Sequence, residues 1–149
     1  MSDFLETTVD KFTFKVATDR FYTSEGVWAK EENGRVRIGL SDFVQQRSGD
    51  VAFADVKPAG TTLAAGEDVA NIETIKVNIT YTCPVSGKIV EGNPAMSDAP
   101  EAINQDPYGA GWLAVMEVAD WETERAMLLD PQAYFKTMKG QAEEETKKS

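Results

Sequence analysis

The stretch NIETIKVNITYTCPVSGKIVEGN, residues 71–93, decides the fold of this chain. Apolar and polar residues alternate through its first half, which is the period of a β-strand with one buried face. Between residues 75 and 83 the alternation predicts one apolar face, formed by Ile75, Val77, Ile79, Tyr81 and Cys83. Taken strictly, it predicts one continuous strand with Lys76 on the solvent face, where charged side chains belong.

Short strands are also predicted on both sides of this stretch. KFTFKV at 11–16 alternates Phe12, Phe14 and Val16 with polar residues, which predicts a strand or ribbon with these three side chains on its buried face. Asn33-Gly34 lies between two apolar runs and tolerates the positive φ of a tight β-hairpin. Dense Gly and Pro signals between residues 50 and 90 predict a compact all-β unit.

Helices are predicted early and late in the chain, and they are short. Ser41 is placed to cap a helix of one or two turns that ends at Gly49. Asp120 is placed to cap WETERAMLL, and Asp130-Pro131 to begin a final helix. The polar tail 140–149 is predicted to fray. The predicted class is mainly β, with a short early helix and a C-terminal helical segment.

Composition favours a single-domain carrier or binding module over an enzyme. The chain has 149 residues, 42% of them hydrophobic and 27% charged, and no long apolar run or basic secretion signal, so a soluble cytoplasmic protein is expected. It contains no histidine, so neither a serine-histidine triad nor a metal site is expected. The net charge of −10 disfavours nucleic acid and anionic membranes as partners. Cys83, the lone cysteine, is interpreted as a core residue and not a sulfur relay.

Three segments together resemble the H-protein of the glycine cleavage system and its lipoyl-carrier relatives. They are GLSDFVQQRSGDVAF at 39–53, NIETIKV at 71–77 leading into PVSGKIVEGN, and AINQDPYGAGWL at 102–113. In that family the lysine of an E-S-V-K-A type sequence carries lipoic acid in amide linkage, and Lys76 is the matching residue. The resemblance further implies that Glu73 and Gly87, three residues before and eleven after it, serve recognition by the lipoylating enzyme. Biotin is disfavoured because Ile75 and Val77, not methionines, flank the lysine.

By resemblance the fold is a lipoyl-type barrel-sandwich hybrid of two small antiparallel sheets, with Lys76 at a hairpin tip and not within a continuous strand. The expected domain limits are 1–19 for an N-terminal extension, 20–139 for the carrier domain and 140–149 for a polar tail. The extension is expected to be either an edge strand that covers the sheet or a partner-docking element. The protein itself is expected to carry a cofactor for partner enzymes, with no catalytic residue of its own.

One hairpin departs from the family pattern Y-T-x-S-H-E-W. In FYTSEGVW, Gly26 and Val27 replace the His and Glu, although Trp28 remains. In glycine cleavage the arm carries a cationic aminomethyl group, which a carboxylate stabilises and a valine does not. Glu25 is the candidate substitute.

This hairpin and the N-terminal extension are both departures from the family, and together they favour a paralogue, the lipoate-binding protein of heterodisulfide-reductase-like sulfur oxidation, with sulfur intermediates as its cargo. The alternatives are a glycine cleavage H-protein that carries aminomethyl groups and an unlipoylated interaction module with the same fold. A carrier that catalyses the reverse reaction alone also stays open. The expected partners are the lipoylating enzyme, dihydrolipoamide dehydrogenase, and either the heterodisulfide-reductase-like complex or the glycine cleavage proteins.

Overall fold

The computed structural model describes residues 3–148, which form eleven strands and five helices. The strands are β1 (Phe4–Val9), β2 (Phe12–Ala17), β3 (Phe21–Tyr22), β4 (Val27–Glu32), β5 (Arg35–Leu40), β6 (Val51–Val56), β7 (Thr62–Leu63), β8 (Asp68–Thr74), β9 (Asn78–Thr82), β10 (Gly87–Gly92) and β11 (Ala114–Glu117). The helices are α1 (Asp42–Ser48), α2 (Ala95–Asp98), α3 (Ala102–Gln105), α4 (Trp121–Ala126) and α5 (Pro131–Lys148). Among these residues no helix is both long and apolar enough to cross a membrane.

Two antiparallel sheets face each other across the main core. One has the strand order β3-β4-β5-β11-β10-β7 and the other β6-β8-β9. Ile38 and Met116 from the first sheet and Ile72 and Tyr81 from the second belong to one buried cluster. This arrangement confirms the mainly β, barrel-sandwich class. The strands β1 and β2 form a separate two-stranded ribbon, which the two-sheet expectation did not include.

The local signals for turns and caps are confirmed. Asn33 and Gly34 have φ of 52° and 79° and connect β4 to β5. The Ser41 hydroxyl accepts a hydrogen bond from the Val44 amide (3.3 Å) at the start of α1, and Gly49 ends this helix with φ of 90°. The carboxylates of Asp120 and Asp130 cap α4 and α5 in the same way. The short helices α2 and α3 lie in a segment for which the sequence predicted no element.

The N-terminal ribbon packs on α1 and α5 and is not an edge strand of either large sheet. Phe14 and Val16 are buried, as predicted, in a second cluster with Tyr22, Trp28, Phe43, Tyr134, Met138 and Ala142. The Asp42 carboxylate accepts from the Lys15 amide (2.9 Å), and the Gln46 side chain donates to the Thr13 carbonyl (2.9 Å). Phe12 was predicted to be buried with Phe14, but it is 49% exposed.

The C-terminal tail differs from its prediction. Helix α5 crosses the expected boundary at residue 140 and continues to Lys148, with Ala142 buried in the second cluster. The N-terminal ribbon supplies apolar surface for Ala142, although the other residues in this last part of α5 are polar. Tertiary contact therefore keeps helical a segment whose own composition predicts fraying. Ser149 lies outside the described residues.

The tryptophans differ in burial, which leads to a stability prediction. Trp28 is fully buried, donates through Nε1 to the carbonyls of Leu40 (3.0 Å) and Pro107 (3.1 Å), and packs against Gly39. The apolar residues Leu113, Ala114 and Val115 that follow Trp112 predict a buried core anchor here too, but Trp112 is only half-buried, with the Arg37 guanidinium 4.6 Å from its ring centre.

We expect Trp28→Ala to lower the free energy of unfolding by about 3–5 kcal/mol, because it leaves a core cavity and removes a hydrogen-bonded indole. Trp112→Ala should cost clearly less, since Arg37 and solvent already cover one face of this ring. Urea unfolding followed by far-ultraviolet circular dichroism measures both values. Equal losses of unfolding free energy in the two variants would contradict this difference in burial between Trp28 and Trp112.

Candidate functional site

Lys76 lies at the tip of the hairpin that joins β8 to β9. The register pairs Glu73 with Asn78, and residues 75–77 make the turn between them. The continuous strand predicted from strict alternation is therefore wrong, and the reversal implied by the resemblance is present. The predicted apolar face persists only in and just after β9, where Tyr81 and Cys83 are buried, because the chain leaves the sheet at the turn.

One hydroxyl group holds this turn. Thr74 Oγ1 accepts hydrogen bonds from the amides of Lys76 (3.1 Å) and Val77 (3.0 Å) and donates to the Ser48 carbonyl (2.7 Å). The Thr74 amide also donates to the Val77 carbonyl (2.8 Å). Because Thr74 is buried, water cannot replace these partners. The backbone that carries Lys76 is thus fixed to the last turn of α1.

The residues that follow α1 pack against the side chain of Lys76 and the turn that carries it. Gly49 has φ of 90°, and a Cβ added to it would lie 3.3 Å from Cδ and Cε of Lys76. The Ile75 amide donates to the Asp50 carbonyl (3.1 Å). Asn104 of α3 donates to the Gly49 carbonyl (3.0 Å) and accepts from the Val51 amide (2.9 Å). Only glycine combines this backbone conformation with close approach of the lysine stem.

The amine of Lys76 projects from an apolar tip. It has no hydrogen-bond or ion-pair partner within the described part of the chain, and the residue is exposed. Its neighbours Ile75 and Val77 are 75% and 41% exposed. Phe53, on β6 opposite Glu73, is 67% exposed. Such a group of exposed apolar side chains around one amine is typical of a surface that other proteins contact.

The two residues predicted to serve recognition lie in different sheets. Glu73 is exposed on β8 beside the turn, on the same hairpin as Lys76. Gly87 begins β10, where an added Cβ would lie 2.4 Å from the Glu117 carbonyl oxygen. The close approach of β10 and β11 is therefore enough to explain why a glycine occupies position 87. Recognition of Glu73 and Gly87 by a lipoylating enzyme stays a prediction.

Packing explains why Gly26 and Val27 depart from the family pattern of this hairpin. Gly26 has φ of 92°, and an added Cβ would lie 2.3 Å from Cγ2 of Val44, so a histidine does not fit here. Val27 is fully buried in the main core. The Glu25 carboxylate accepts from the Thr82 amide (3.0 Å) and hydroxyl (2.5 Å), which places an exposed negative charge beside β9.

Cys83 is a core residue, as predicted. Burial raises the pKa of its thiol to about 11, and the thiol donates to the Val85 carbonyl (3.1 Å). A thiol with this pKa is almost entirely protonated at neutral pH and is a poor nucleophile. Within residues 3–148 no group of His, Cys, Asp and Glu side chains is arranged to hold a metal ion.

Sequence reasoning missed the residues that position the lysine. Ser48, Gly49, Asn104 and the Thr74 hydroxyl all act on the turn from outside the residues expected to serve lipoylation. Two signals were available: a hydroxyl residue precedes the Ile-Lys pair here, as serine does in the E-S-V-K-A pattern, and Gly49 was assigned as a helix end. Neither signal connects α1 to Lys76, because that contact is made only in the folded chain.

A small β-sandwich that presents an exposed lysine on a hydrogen-bonded turn has the form of a carrier domain, a class of protein in which a lysine at such a turn holds a covalently attached group for other proteins to act on. The comparisons agree with this class. Residues 20–141 match the family model "Glycine cleavage H-protein". The chain belongs to the glycine cleavage H-protein family, whose members are lipoyl carriers and not catalysts themselves.

Individual relatives support the assignment over most of their length. The chain is 39% identical over 132 residues to glycine cleavage system H protein 4 of Aquifex aeolicus, an alignment that covers 89% of this chain and 77% of that one. It is 45% identical over 112 residues to the H protein of Stenotrophomonas maltophilia strain R551-3, covering 74% and 85%. The crystal structure of an H protein from Mycobacterium marinum superposes with a TM-score of 0.69 at 33% identity, covering 78% and 94%.

The geometry of the turn predicts a specific role for Thr74. Thr74→Val keeps the shape of the side chain but leaves the Ser48 carbonyl and the amides of Lys76 and Val77 without their partner. We expect a loss of about 1–3 kcal/mol in the free energy of unfolding, and faster hydrogen exchange at these two amides. Thr74→Ser, which retains the hydroxyl, should stay close to the wild type. If both variants exchange alike, the hydroxyl does not hold the turn.

Proposed function

We propose that this chain carries lipoic acid as an amide on Lys76 and works as the H-protein of a glycine cleavage system. H-proteins carry a covalently attached lipoate on a lysine. The observation that supports Lys76 as this lysine is its unpaired amine, exposed on a turn that Thr74 fixes to α1. An amine at such a position is accessible to an acylating enzyme, and its backbone does not move when the side chain does.

The residues of this chain suit such a group. The bound lipoyl group supplies a long tether and a dithiolane that accepts and releases cargo by thiol chemistry. Gly49 leaves room for the stem of Lys76, so the side chain emerges in a defined direction. Ile75, Val77 and Phe53 provide apolar surface beside the attachment point. The lipoylating enzyme, the other glycine cleavage proteins and dihydrolipoamide dehydrogenase are the proposed partners on this surface, and the cytoplasm is the proposed compartment.

Aminomethyl groups are the cargo that we propose, in preference to the sulfur intermediates expected from the sequence. The relatives described above carry glycine cleavage names, and the heterodisulfide-reductase-like reading gains no support from them. That reading rested on the loss of a carboxylate at Val27, but Glu25 supplies one beside Thr82.

The Glu25 carboxylate is the group that we propose for contact with cargo on an arm at Lys76. Thr82 lies four residues beyond Asn78, about 13 Å along β9 at the usual rise of a strand. A lipoyl-lysine side chain extends about 14 Å from its Cα at ordinary bond lengths. The two lengths are similar, although the arm begins two residues before Asn78, and a carboxylate stabilises a cationic cargo, which supports the choice of Glu25.

The attachment site can be tested directly. Incubation with a lipoate ligase and lipoate should add one lipoyl group, located on Lys76 by peptide mass spectrometry, and Lys76→Arg should abolish the addition because a guanidinium is not acylated in this way. Lys57→Arg, which changes an exposed lysine at the end of β6, is the matched control and should be modified like the wild type. Addition at another lysine would contradict Lys76 as the attachment site, and no addition with several ligases would support the unlipoylated interaction module instead.

The cargo can be tested through Glu25. In the lipoylated protein Glu25→Gln keeps an acceptor for Thr82 but removes the charge, so glycine cleavage with the partner proteins should fall about tenfold, the effect of about 1.4 kcal/mol of lost charge stabilisation. Glu31→Gln, an equal change of charge on an exposed residue of β4, should have no effect. Negligible glycine cleavage by the unsubstituted protein, together with sulfur adducts on its dithiol, would restore the sulfur-oxidation reading.

A further inference from the structure

The outer edge of strand β1 is open. The register of the ribbon pairs Val9 with Phe12 across a two-residue turn, and at the far end the Thr18 amide donates to the Asp3 carbonyl (3.0 Å). Every second pair of residues in an antiparallel ribbon is joined through its backbone groups, so these two ends set the alternation. The residues of β1 whose backbone groups point away from β2 are therefore Phe4, Glu6 and Thr8.

The contacts of β2 agree with this alternation. The residues opposite Glu6 and Thr8 are Lys15 and Thr13. On the side away from β1 the Lys15 amide donates to a carboxylate of α1 (2.9 Å), and the Thr13 carbonyl accepts from a glutamine of α1 (2.9 Å). Helix α1 thus covers the outer edge of β2. Within residues 3–148 no group forms a hydrogen bond with the backbone of Glu6 or Thr8 at the outer edge of β1.

The outer strands of the two larger sheets are less suited to pairing with another chain. β3 and β7 have two residues each. β6 is bulged between Val51 and Phe53, and on β9 the Thr82 amide donates to the Glu25 carboxylate. β1 has six residues in regular register and contains neither proline nor lysine. Because short strands, bulges, prolines and lysines are the usual means of preventing edge pairing, β1 is the strand that this protein leaves free to pair.

The charge of the ribbon allows a second copy of the chain to be the partner of β1. The whole chain has a net charge of −10, which repels other acidic surfaces. Residues 4–17, in contrast, have two acidic and two basic side chains, and the Glu6 carboxylate lies 3.7 Å from the Lys15 amine. Two ribbons can therefore meet without net charge repulsion between them.

Three antiparallel registers bring the outward backbone groups of two β1 strands together. The register centred on Glu6 places two carboxylates opposite each other, which is unfavourable. The register centred on Leu5 overlaps only half of each strand. The register centred on Thr7 overlaps nearly the whole of each strand and places Leu5 opposite Val9 of the second copy. In this register Glu6 lies opposite Thr8 of the second copy, so no like charges meet.

We infer that two copies of this chain form a dimer through β1, paired in the antiparallel register centred on Thr7. Each Glu6–Thr8 pair then exchanges two backbone hydrogen bonds, and the ribbons become one four-stranded sheet, which is more stable than an isolated ribbon. Leu5 and Val9 pack against the second cluster but are only half-buried, and the partner strand covers part of the surface that they still expose. The dimer carries two Lys76 hairpins, and it forms whether or not Lys76 is lipoylated.

The first test measures the molar mass of the full chain by sedimentation equilibrium from micromolar to millimolar concentration. We expect the mass to rise from that of a monomer to that of a dimer. The amide protons of Glu6 and Thr8 should exchange slowly with solvent in the dimer and become fast on dilution, because only the partner strand protects them. A monomer throughout, or exchange at these two amides that does not depend on concentration, would overturn the inference.

The second test uses Thr8→Pro, which removes an outward amide that the pairing with β2 does not use. The dissociation constant of the dimer should rise at least about tenfold, because the partner strand loses this hydrogen-bond donor. Thr8→Val is the matched control, since it keeps the amide but loses, as the proline variant does, the hydroxyl contact with Thr13 (2.9 Å). It should dimerise like the wild type.

A dimer that Thr8→Pro leaves unchanged would refute pairing through β1, because its interface would then lie elsewhere. Urea unfolding verifies that both variants are folded. If the proline variant does not fold, the exchange of the Glu6 and Thr8 amides in the unsubstituted chain decides the question.

The third test examines the register. Thr7→Cys places two thiols next to each other on the twofold axis, in a non-hydrogen-bonded pair whose close Cα atoms suit a disulfide. Mild oxidation should therefore link the two copies, while the buried Cys83 does not react. Glu6→Cys, which is central only in the register with opposed carboxylates, should link clearly more slowly. Equal or faster linking through Glu6→Cys would refute the proposed pairing.

Discussion

The hydrogen bonds of the Thr74 hydroxyl are the interaction on which the Lys76 turn, and with it the proposed function, depends. They join the turn that carries Lys76 to the carbonyl of Ser48, and so to the end of α1. Asn104 holds the residues that follow that helix from the opposite side. A mobile arm requires a fixed base, since a base that moved would enlarge the volume that the arm has to search. Burial of this one hydroxyl keeps the base fixed.

The second aromatic cluster extends the same rigidity to the chain ends. The rings of Tyr22 and Tyr134 stack with centres 4.4 Å apart, and the Tyr134 hydroxyl lies 2.8 Å from that of Ser41, which caps α1. Burial raises the pKa of Tyr134 to about 12, so this hydroxyl remains neutral under physiological conditions. Helix α1 is therefore held by the ribbon, by α5 and by the lysine hairpin together.

The early hairpin shows how a functional motif can change for structural reasons. Gly26 adopts a conformation that excludes histidine, and Val27 fills the core where the family pattern has glutamate. From sequence alone these replacements indicated a different cargo. In the folded chain Glu25 places its carboxylate beside β9 instead. The charge is displaced along the hairpin and not lost, so the replacements do not by themselves argue against glycine cleavage.

The sequence by itself determined the features that depend on near neighbours: the Asn33-Gly34 turn, the caps at Ser41, Asp120 and Asp130, the mainly β class, and the motif that singles out Lys76. These follow from local backbone preferences and short spacings. Only the tertiary structure decided the exposure of Phe12, the helix beyond residue 140 and the contacts of Thr74 and Asn104 with α1. Each of these results from packing between segments distant in the chain, and tertiary packing overrides local propensity wherever the two disagree.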